Sequence, residues 1–280
     1  MIRRGRGIST IYYPSGFNDG GDPDLVSLRM KPDGTIDVSN ASCEMGQGIK
    51  NVAVQIAAEC LGISPDRINF DNSNSDTAAF SMDTAGTRST VVVGNAIIAA
   101  ADDLIGKLKA FTAEKLGVSP EEMSYEAGRA FVTADPEKGM TIPEIAGASI
   151  FGGVLLMSTG GYLPEPAPPR DPETSATLPS KILAYGSCAA DVEVDDETGM
   201  VRVVSICNCY DMGTVINPAQ AIAQVEGGNI MGLGMALFED LAPGFPQNLD
   251  ISRMLTTGIP AALAANFPPI YFPVFINKTP

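Results

Sequence analysis

The sequence predicts an α+β fold, in which β-hairpins and mixed sheets pack against helices. Residues 24–38 and 189–206 each show alternating apolar residues on both sides of a run of turn residues, the pattern of a β-hairpin. Apolar residues spaced three or four apart after residues 48 and 90 indicate amphipathic helices. Because strands and helices are intermixed without regular strand–helix–strand repeats, the pattern favours α+β over a parallel α/β sheet.

The predicted elements have recognisable starts and ends. The first hairpin turns at Pro32-Asp33-Gly34, and the helix after it ends at Gly62. Ser64-Pro65 and Ser119-Pro120 are typical of helix starts, and Glu122 stands at the reciprocal position of a capping box. The second helix has an apolar face formed by Ile97, Ile98, Ala101, Leu104, Ile105, Leu108 and Phe111.

A glycine-rich helix is predicted from Asn217-Pro218 to about Phe238. Each glycine in a helix interior costs up to about 1 kcal/mol relative to alanine. This helix contains Gly227, Gly228, Gly232 and Gly234. We therefore expect another group to pack very close to its backbone.

The composition predicts two subdomains joined by a linker. Residues 158–180 contain six prolines among small polar residues, which is typical of a long loop. We therefore predict a first subdomain at residues 1–157, a proline-rich linker at 158–180 and a second subdomain at 181–280. The apolar run at 270–276 is either an edge strand covered by a partner or a cut end.

Charge and residue usage exclude several classes of function. The net charge of −15 disfavours binding to nucleic acid or to an anionic membrane surface, and no apolar run is long enough to span a membrane. Histidine is absent, so serine–histidine–aspartate catalysis and histidine zinc sites are excluded within the chain. Five cysteines without a C-x-x-C pair argue against disulfide frameworks, zinc ribbons and iron–sulfur sites, and predict a reduced, cytoplasmic protein.

Two loops rich in glycine and hydroxyl residues precede predicted helices. Gly46-Gln47-Gly48 stands at a helix N-terminus, where it is either a tight turn or a cradle for a phosphate or pterin edge. Residues 84–90 place threonines, Ser89 and Arg88 around a second turn, which is either a phosphate site or a helix cap with Arg88 solvated. The amide of Gln224, in the glycine-rich helix, has either a capping or inter-helix hydrogen bond or a ligand as its partner.

Paired acids and paired cysteines carry weaker signals. Asp102-Asp103 is typical of a solvated helix face, and Glu121-Glu122 of a helix start. Cys207 and Cys209 share one face of a strand, where they either pack or bind a soft metal.

Four motifs occur in an order that resembles a known family. They are Glu44-Met45-Gly46-Gln47-Gly48, Thr84-Ala85-Gly86-Thr87-Arg88-Ser89-Thr90, Val192-Glu193-Val194-Asp195 with Asp211-Met212-Gly213, and Gln224-Val225-Glu226-Gly227. The chain, from Arg4 to about Pro260, resembles the second half of the molybdopterin-binding subunit of the xanthine dehydrogenase/aldehyde oxidase family, the molybdenum hydroxylases. It is most similar to the medium molybdopterin subunit of split enzymes such as nicotinate dehydrogenase.

The resemblance implies a molybdopterin-binding fold and a shared reaction. Members hydroxylate an N-heterocycle or an aldehyde with oxygen derived from water. The expected cofactor is molybdopterin with molybdenum, as the cytosine dinucleotide. Electrons would leave through the pterin to a [2Fe-2S] subunit and an FAD subunit, and the chain would dock on a large molybdopterin subunit.

The resemblance also implies roles for particular residues. Met45, Gly46 and Gln47, with Gly48, would hold the pterin, as would Gln224. Gly86, with Ala85, would lie near the molybdenum, where a small residue leaves room for substrate. The residues expected to bind the dinucleotide phosphates are Thr87, Arg88, Ser89 and Thr90.

The sequence departs from the family pattern in two places. Ala223 stands where the family has a glycine before the helix glutamine. The family's catalytic glutamate lies in a Gly-x-Gly-Glu motif downstream of the segment resembling Gly258-Ile259-Pro260, and the sequence reaches Pro280 without that motif. The resemblance therefore implies that the glutamate lies beyond Pro280, so that we expect no catalytic residue in this chain and no complete enzyme from it alone. The alternatives are a non-catalytic remnant or assembly partner, and an isolated dinucleotide-binding module.

Overall fold

The computed structural model describes residues 1–17, 21–72, 74–175, 180 and 182–237. The segment at 258–260, the apolar run at 270–276 and the last residue, Pro280, lie outside the described residues. No helix in the described part of the chain is long and apolar enough to cross a membrane.

The fold is α+β, as predicted. The strands are β1 (Ile2–Pro14), β2 (Asp24–Met30), β3 (Ile36–Ser39), β4 (Ile68–Asp71), β5 (Met123–Glu126), β6 (Arg129–Val132), β7 (Asp135–Thr141), β8 (Met157–Tyr162), β9 (Leu183–Asp195) and β10 (Val201–Asp211). The helices are α1 (Ile49–Leu61), α2 (Ser89–Leu116), α3 (Ile142–Phe151) and α4 (Pro218–Leu237). The predicted starts at Ser64-Pro65 and Ser119-Pro120 open only short 3₁₀ turns, the second with the predicted capping box.

The chain divides into two compact units whose bounds differ from the predicted ones. A central unit comprises Pro14–Ile182, and a terminal unit comprises Met1–Tyr13 with the described residues from Leu183 onward. The first thirteen residues thus group with the C-terminal part, because β1 pairs with β9. The predicted linker also begins too early, since β8 occupies its first residues as part of a sheet.

The central unit is built on a four-stranded sheet in the order β4-β3-β2-β8. The predicted hairpin at 24–38 is confirmed, with Leu28 opposite Val38. Val26, Leu28 and Met30 alternate with more exposed residues and face the core, as a strand with one covered face requires. α1 and α2 cover this face, and α1 ends as predicted at Gly62, which has a left-handed backbone.

Strand β8 lies directly against the backbone of α2. A Cβ placed on Gly160 would lie 2.8 Å from Ala100 Cα and closer still to the Ala100 nitrogen and the Ala96 carbonyl oxygen. Only glycine allows this approach. The buried Ser158 stabilises the same contact, because its hydroxyl donates a hydrogen bond to the Ala100 carbonyl at 2.7 Å. Helix α2 therefore packs directly against the sheet, and its first residues are among the candidate site residues.

The terminal unit contains a three-stranded sheet in the order β1-β9-β10. The hairpin predicted at 189–206 is confirmed and extends further at both ends, from Leu183 to Asp211. The basic N-terminal residues pair with acids of this hairpin: Arg4 with Glu193 at 2.9 Å and Arg6 with Asp191 at 2.6 Å. These arginines are thus already neutralised on the strand surface.

Helix α4 begins at Pro218, as predicted, and its described part ends at Leu237. The close packing expected on its glycines is not found at three of them in the described residues. A Cβ on Gly227, Gly228 or Gly232 would have no atom within 4 Å. Within this part of the chain, these three glycines therefore leave bare backbone on the helix surface.

Substitution of Gly160 by alanine should destabilise the protein by about 3 kcal/mol, because the new methyl group meets rigid backbone of α2. Gly161→Ala is the matched control in the same strand, since its Cβ would crowd only the side-chain tip of Leu25 and should cost under about 1 kcal/mol. Urea unfolding of both variants measures the difference. Equal losses would show that β8 does not press on α2.

Arg6→Met should raise the pKa of Asp191. The hydrogen bond and charge of Arg6, with a second bond from Ser205, lower the pKa of this carboxyl to about 2. The ion pair therefore stabilises the fold fully above the ordinary pKa of about 3.9, and this stabilisation is lost as the pH falls through about 2. NMR titration of the Asp191 carboxyl should show a pKa that rises toward about 3.9 in Arg6→Met. The pKa should not change in Arg3→Met, whose arginine pairs with Asp196.

Candidate functional site

The two loops singled out in the sequence meet in the central unit. Residues 43–48 lead into α1 and residues 83–88 lead into α2. The backbone N–H of Cys43 donates to Thr84 Oγ1 at 2.7 Å. Motifs about forty residues apart in the chain therefore form one continuous surface.

The loop before α1 is organised around the carboxylate of Glu44. Its Oε1 accepts the N–H groups of Gly46 and Gly48, both at 2.9 Å, and its Oε2 accepts the N–H of Lys50 at 3.0 Å. Burial alone would raise the pKa of Glu44, but these three donors outweigh it and hold that pKa below its ordinary value. The N-terminus of α1 is thus capped by the chain's own anion.

The Gln47 amide also binds within this loop. Its Oε1 accepts the N–H of Met45 at 2.6 Å, and its Nε2 donates to the Cys43 carbonyl at 2.7 Å. The Met45 side chain points outward and is 69% exposed, and a Cβ on Gly46 would meet no atom within 4 Å. The loop therefore presents a thioether and bare backbone to a ligand, which fits the flat edge of a large ring system.

The loop before α2 has a tightly held backbone. Gly86 and Thr87 both have left-handed backbones, with φ of 59° and 57°. Gly16 donates its N–H to the Gly86 carbonyl at 2.7 Å, and Ser15 Oγ donates to the Thr87 carbonyl at 2.9 Å. A Cβ on Gly86 would lie 3.2 Å from the Gly16 carbonyl oxygen, so close approach of the chain as well as backbone angle favours glycine there.

The start of α2 offers hydrogen-bonding groups that the chain leaves unused. Its N-cap residue, Arg88, forms no side-chain capping hydrogen bond. Among the described residues, the hydroxyls of Thr87, Ser89 and Thr90 have no hydrogen-bond partner. Thr87 and Thr90 are exposed, as is Ala85, and Ser89 is half-buried. Hydroxyls beside a helix N-terminus are suited to phosphate oxygens.

Arg88 does not lie on this surface. Its side chain is buried, with 1% of the residue exposed, and forms ion pairs with Asp22 and, at 2.8 Å, with Asp24. It also donates to the carbonyls of Pro23 and Asp83. The alternative in which Arg88 is solvated is therefore wrong. The expected role as a phosphate ligand also differs from what is found, because carboxylates and carbonyls already surround the guanidinium.

The pairing of acidic residues with Arg88 was not predicted from the sequence. Asp24 is fully buried and accepts hydrogen bonds from Asn40 Nδ2 and Ser81 Oγ. Burial raises the pKa of Asp24 despite these bonds and despite the charge of Arg88. The position of Asp24 could have predicted this pairing. Asp24 alternates with the inward-facing Val26 and Leu28 of β2, and a carboxylate that faces the core needs a cation as its partner.

A cavity of about 210 Å³ opens beside this cluster. Arg88, Asp22, Phe17 and Tyr162 are among its lining residues. Typical ligand pockets measure about 300–1,000 Å³. This cavity alone therefore would not enclose a dinucleotide.

The remaining candidates belong to the terminal unit. Gln224 lies on α4 and is exposed. Cys207 and Cys209 lie on β10, and no group of three or more His, Cys, Asp or Glu side chains in the described part of the chain could hold a metal ion. All five cysteines are free thiols.

The catalytic glutamate expected beyond Pro280 stays a prediction. The described residues end at Leu237, so the structure describes neither the segment at 258–260 that would precede the motif nor Pro280 itself. Both loops of the candidate site lie well before that point in the sequence.

Arg88→Met should cost about 3–5 kcal/mol, because it leaves two buried carboxylates without their cation. Arg29→Met is the control, since Arg29 forms a surface ion pair with Asp37 and its loss should cost under about 1 kcal/mol. Chemical unfolding of the two variants distinguishes the two environments. A small effect of Arg88→Met would contradict a buried ion cluster.

Comparison with known proteins places this geometry in a family. The model of the molybdopterin cofactor-binding domain matches residues 1–263. The nicotine 6-hydroxylase large subunit of Paenarthrobacter nicotinovorans is 30% identical over 232 residues, which cover 83% of this chain and 28% of that protein. The xanthine dehydrogenase molybdenum-binding subunit of Escherichia coli O157:H7 is 29% identical over 243 residues, 86% of this chain and 31% of that protein.

A solved structure supports the same fold. The crystal structure of quinoline 2-oxidoreductase from Pseudomonas putida 86 superposes with a TM-score of 0.79 at 24% identity, covering 100% of this chain and 36% of that chain. The chain thus spans about a third of the length of these proteins. Since the family model matches nearly the whole sequence, the chain belongs to the molybdopterin cofactor-binding domain family of the molybdenum hydroxylases.

Proposed function

We propose that this chain forms the cofactor-binding part of a multi-subunit molybdenum hydroxylase that hydroxylates an N-heterocycle or an aldehyde with oxygen from water. The observation that carries the proposal is the junction of the two loops through Cys43 and Thr84. It brings a surface suited to a ring system next to a surface suited to phosphate. The names of the relatives, a nicotine hydroxylase and a xanthine dehydrogenase subunit, support this reaction class.

The residues present fit a molybdopterin dinucleotide. Met45, Gly46 and Gln47, with Gly48, would hold the pterin through exposed backbone and the ordered amide. Thr87, Ser89 and Thr90 would bind the phosphates through hydroxyls that have no partner within the described chain. When bound, the group supplies the oxidation of the substrate carbon and passes the electrons on.

Other residues in the two loops keep space open and hold the backbone. Ala85 has only a methyl side chain and Gly86 has none, which would leave room beside the metal for substrate. Arg88 would not touch the cofactor. Through its buried ion pairs with Asp22 and Asp24, it would hold the backbone of the loop before α2 in place. Gln224 would form a hydrogen bond with the pterin.

The proposal includes partners and a location. The cavity beside Arg88 alone would not hold a dinucleotide, and we propose that a large molybdopterin subunit completes the cofactor cleft. An iron–sulfur subunit and an FAD subunit would carry the electrons onward, and the cofactor would be the cytosine dinucleotide. Five free thiols support a cytoplasmic location.

Purification of the protein in complex with its partner subunits tests the function. The complex should contain molybdenum and pterin in proportion to this chain and should oxidise an N-heterocycle or aldehyde. A complex that assembles without either component would instead identify the chain as a non-catalytic assembly partner.

Met45→Glu should weaken retention of the cofactor about tenfold or more, the effect of about 1.4 kcal/mol, because it places a charge against the ring edge. Met200→Glu is the matched control, since Met200 is 73% exposed in the terminal unit and Met45 is 69% exposed. Molybdenum and pterin per chain measure the effect. Equal contents in both variants would contradict the role of the 43–48 loop.

A further inference from the structure

The carboxylate of Glu44 occupies a place that an external anion would otherwise take. It accepts three backbone N–H groups at the start of α1, from Gly46, Gly48 and Lys50. We infer that Glu44 is a positioning residue, a built-in anion that holds the Met45–Gly48 loop in its ligand-binding conformation. This inference rests on the proposed function and adds to it a residue to which no role in cofactor binding was assigned.

The loop needs such a constraint because its own backbone provides little. Gly46 and Gly48 have φ of 99° and 91°, a region that glycine enters freely but from which it also leaves freely. The free loop would sample many conformations, and ordering it on binding would weaken affinity. Bonds from one carboxylate to both glycines remove that freedom before the ligand arrives.

The held conformation extends to the neighbouring groups. With the backbone fixed, Gln47 bridges the Met45 N–H and the Cys43 carbonyl. Cys43 in turn donates its N–H to Thr84. Glu44 therefore orients one loop directly and contributes to its junction with the other.

The same carboxylate distinguishes the two helix starts. At α1 the N–H groups of Gly48 and Lys50 are occupied and a negative charge is in place, so a phosphate there would meet repulsion. At α2 the N-cap residue Arg88 forms no side-chain capping bond, and three hydroxyls have no partner within the described chain. The cofactor would accordingly bind with its phosphates at α2 and its ring at the α1 loop.

Glu44→Gln tests the inference in the assembled complex. The amide keeps one oxygen for Gly46 and Gly48 but turns an NH₂ group toward the Lys50 N–H. We expect hydrogen–deuterium exchange in the peptide spanning residues 43–52 to rise about tenfold, and cofactor retention to fall by a similar factor. Turnover per bound molybdenum and the KM for substrate should stay unchanged, because Glu44 holds the cofactor's loop and touches no substrate.

Glu59→Gln is the matched control, since it removes the same charge from the last turn of the same helix. Its exchange and molybdenum content should equal those of the wild type. Glu44→Asp keeps the charge but is one methylene shorter, and it should show the same losses. This second variant decides the question if Glu44→Gln fails to fold.

The outcomes separate this inference from the proposed function. Wild-type retention of molybdenum in both Glu44 variants, or lower turnover per bound molybdenum, would overturn the positioning role. A wild-type complex without molybdenum would contradict the proposed function, and unchanged exchange of the loop in the variants would then still overturn the role of Glu44.

Discussion

The buried ion cluster around Arg88 is the interaction on which the candidate site depends. One guanidinium is shared by Asp22 and Asp24, and Asp24 is held in turn by Asn40 and Ser81. Buried charges are tolerated only when they are paired and hydrogen-bonded, so the segments that carry them are fixed relative to one another. The cluster thereby joins the start of β2, the end of β3 and the start of α2, and it sets the position of the exposed residues above it.

Because buried groups hold the loop before α2 in place, its exposed side chains need no partners within the protein. Thr87 has a left-handed backbone that is unfavourable for a β-branched residue, and such a conformation persists only where the surroundings enforce it. Bonds from Gly16 and Ser15 to the loop carbonyls supply that enforcement together with Arg88. The hydroxyls of Thr87 and Thr90 therefore lie on the surface without being needed to hold the fold.

Local signals in the sequence predicted much of the fold. The turn at Pro32-Asp33-Gly34, the helix end at Gly62 and the helix start at Asn217-Pro218 are each determined by a few neighbouring residues. β1 was missed because its identity depends on pairing with a strand nearly two hundred residues away. The inward side chain of Arg88 was missed for the same reason, since its partner Asp22 lies 66 residues earlier in the chain.

The chemistry of the site follows from how the chain uses its few cations. With 18 basic and 33 acidic residues, an anionic cofactor meets a protein of like charge. Three arginines, which as free cations would attract a phosphate, are paired internally: Arg4 and Arg6 with the β9 acids, and Arg88 with the buried aspartates. The proposed binding of the cofactor phosphates would instead use neutral donors, the hydroxyls and amides at the start of α2, whose strength depends on geometry more than on net charge. Such a site depends on a rigid loop, because a hydroxyl that moves away cannot be replaced by the long-range attraction that a free lysine or arginine would supply. The buried cluster would hold these donors in place at the start of α2, and the Glu44 carboxylate would hold the neighbouring loop at residues 43–48.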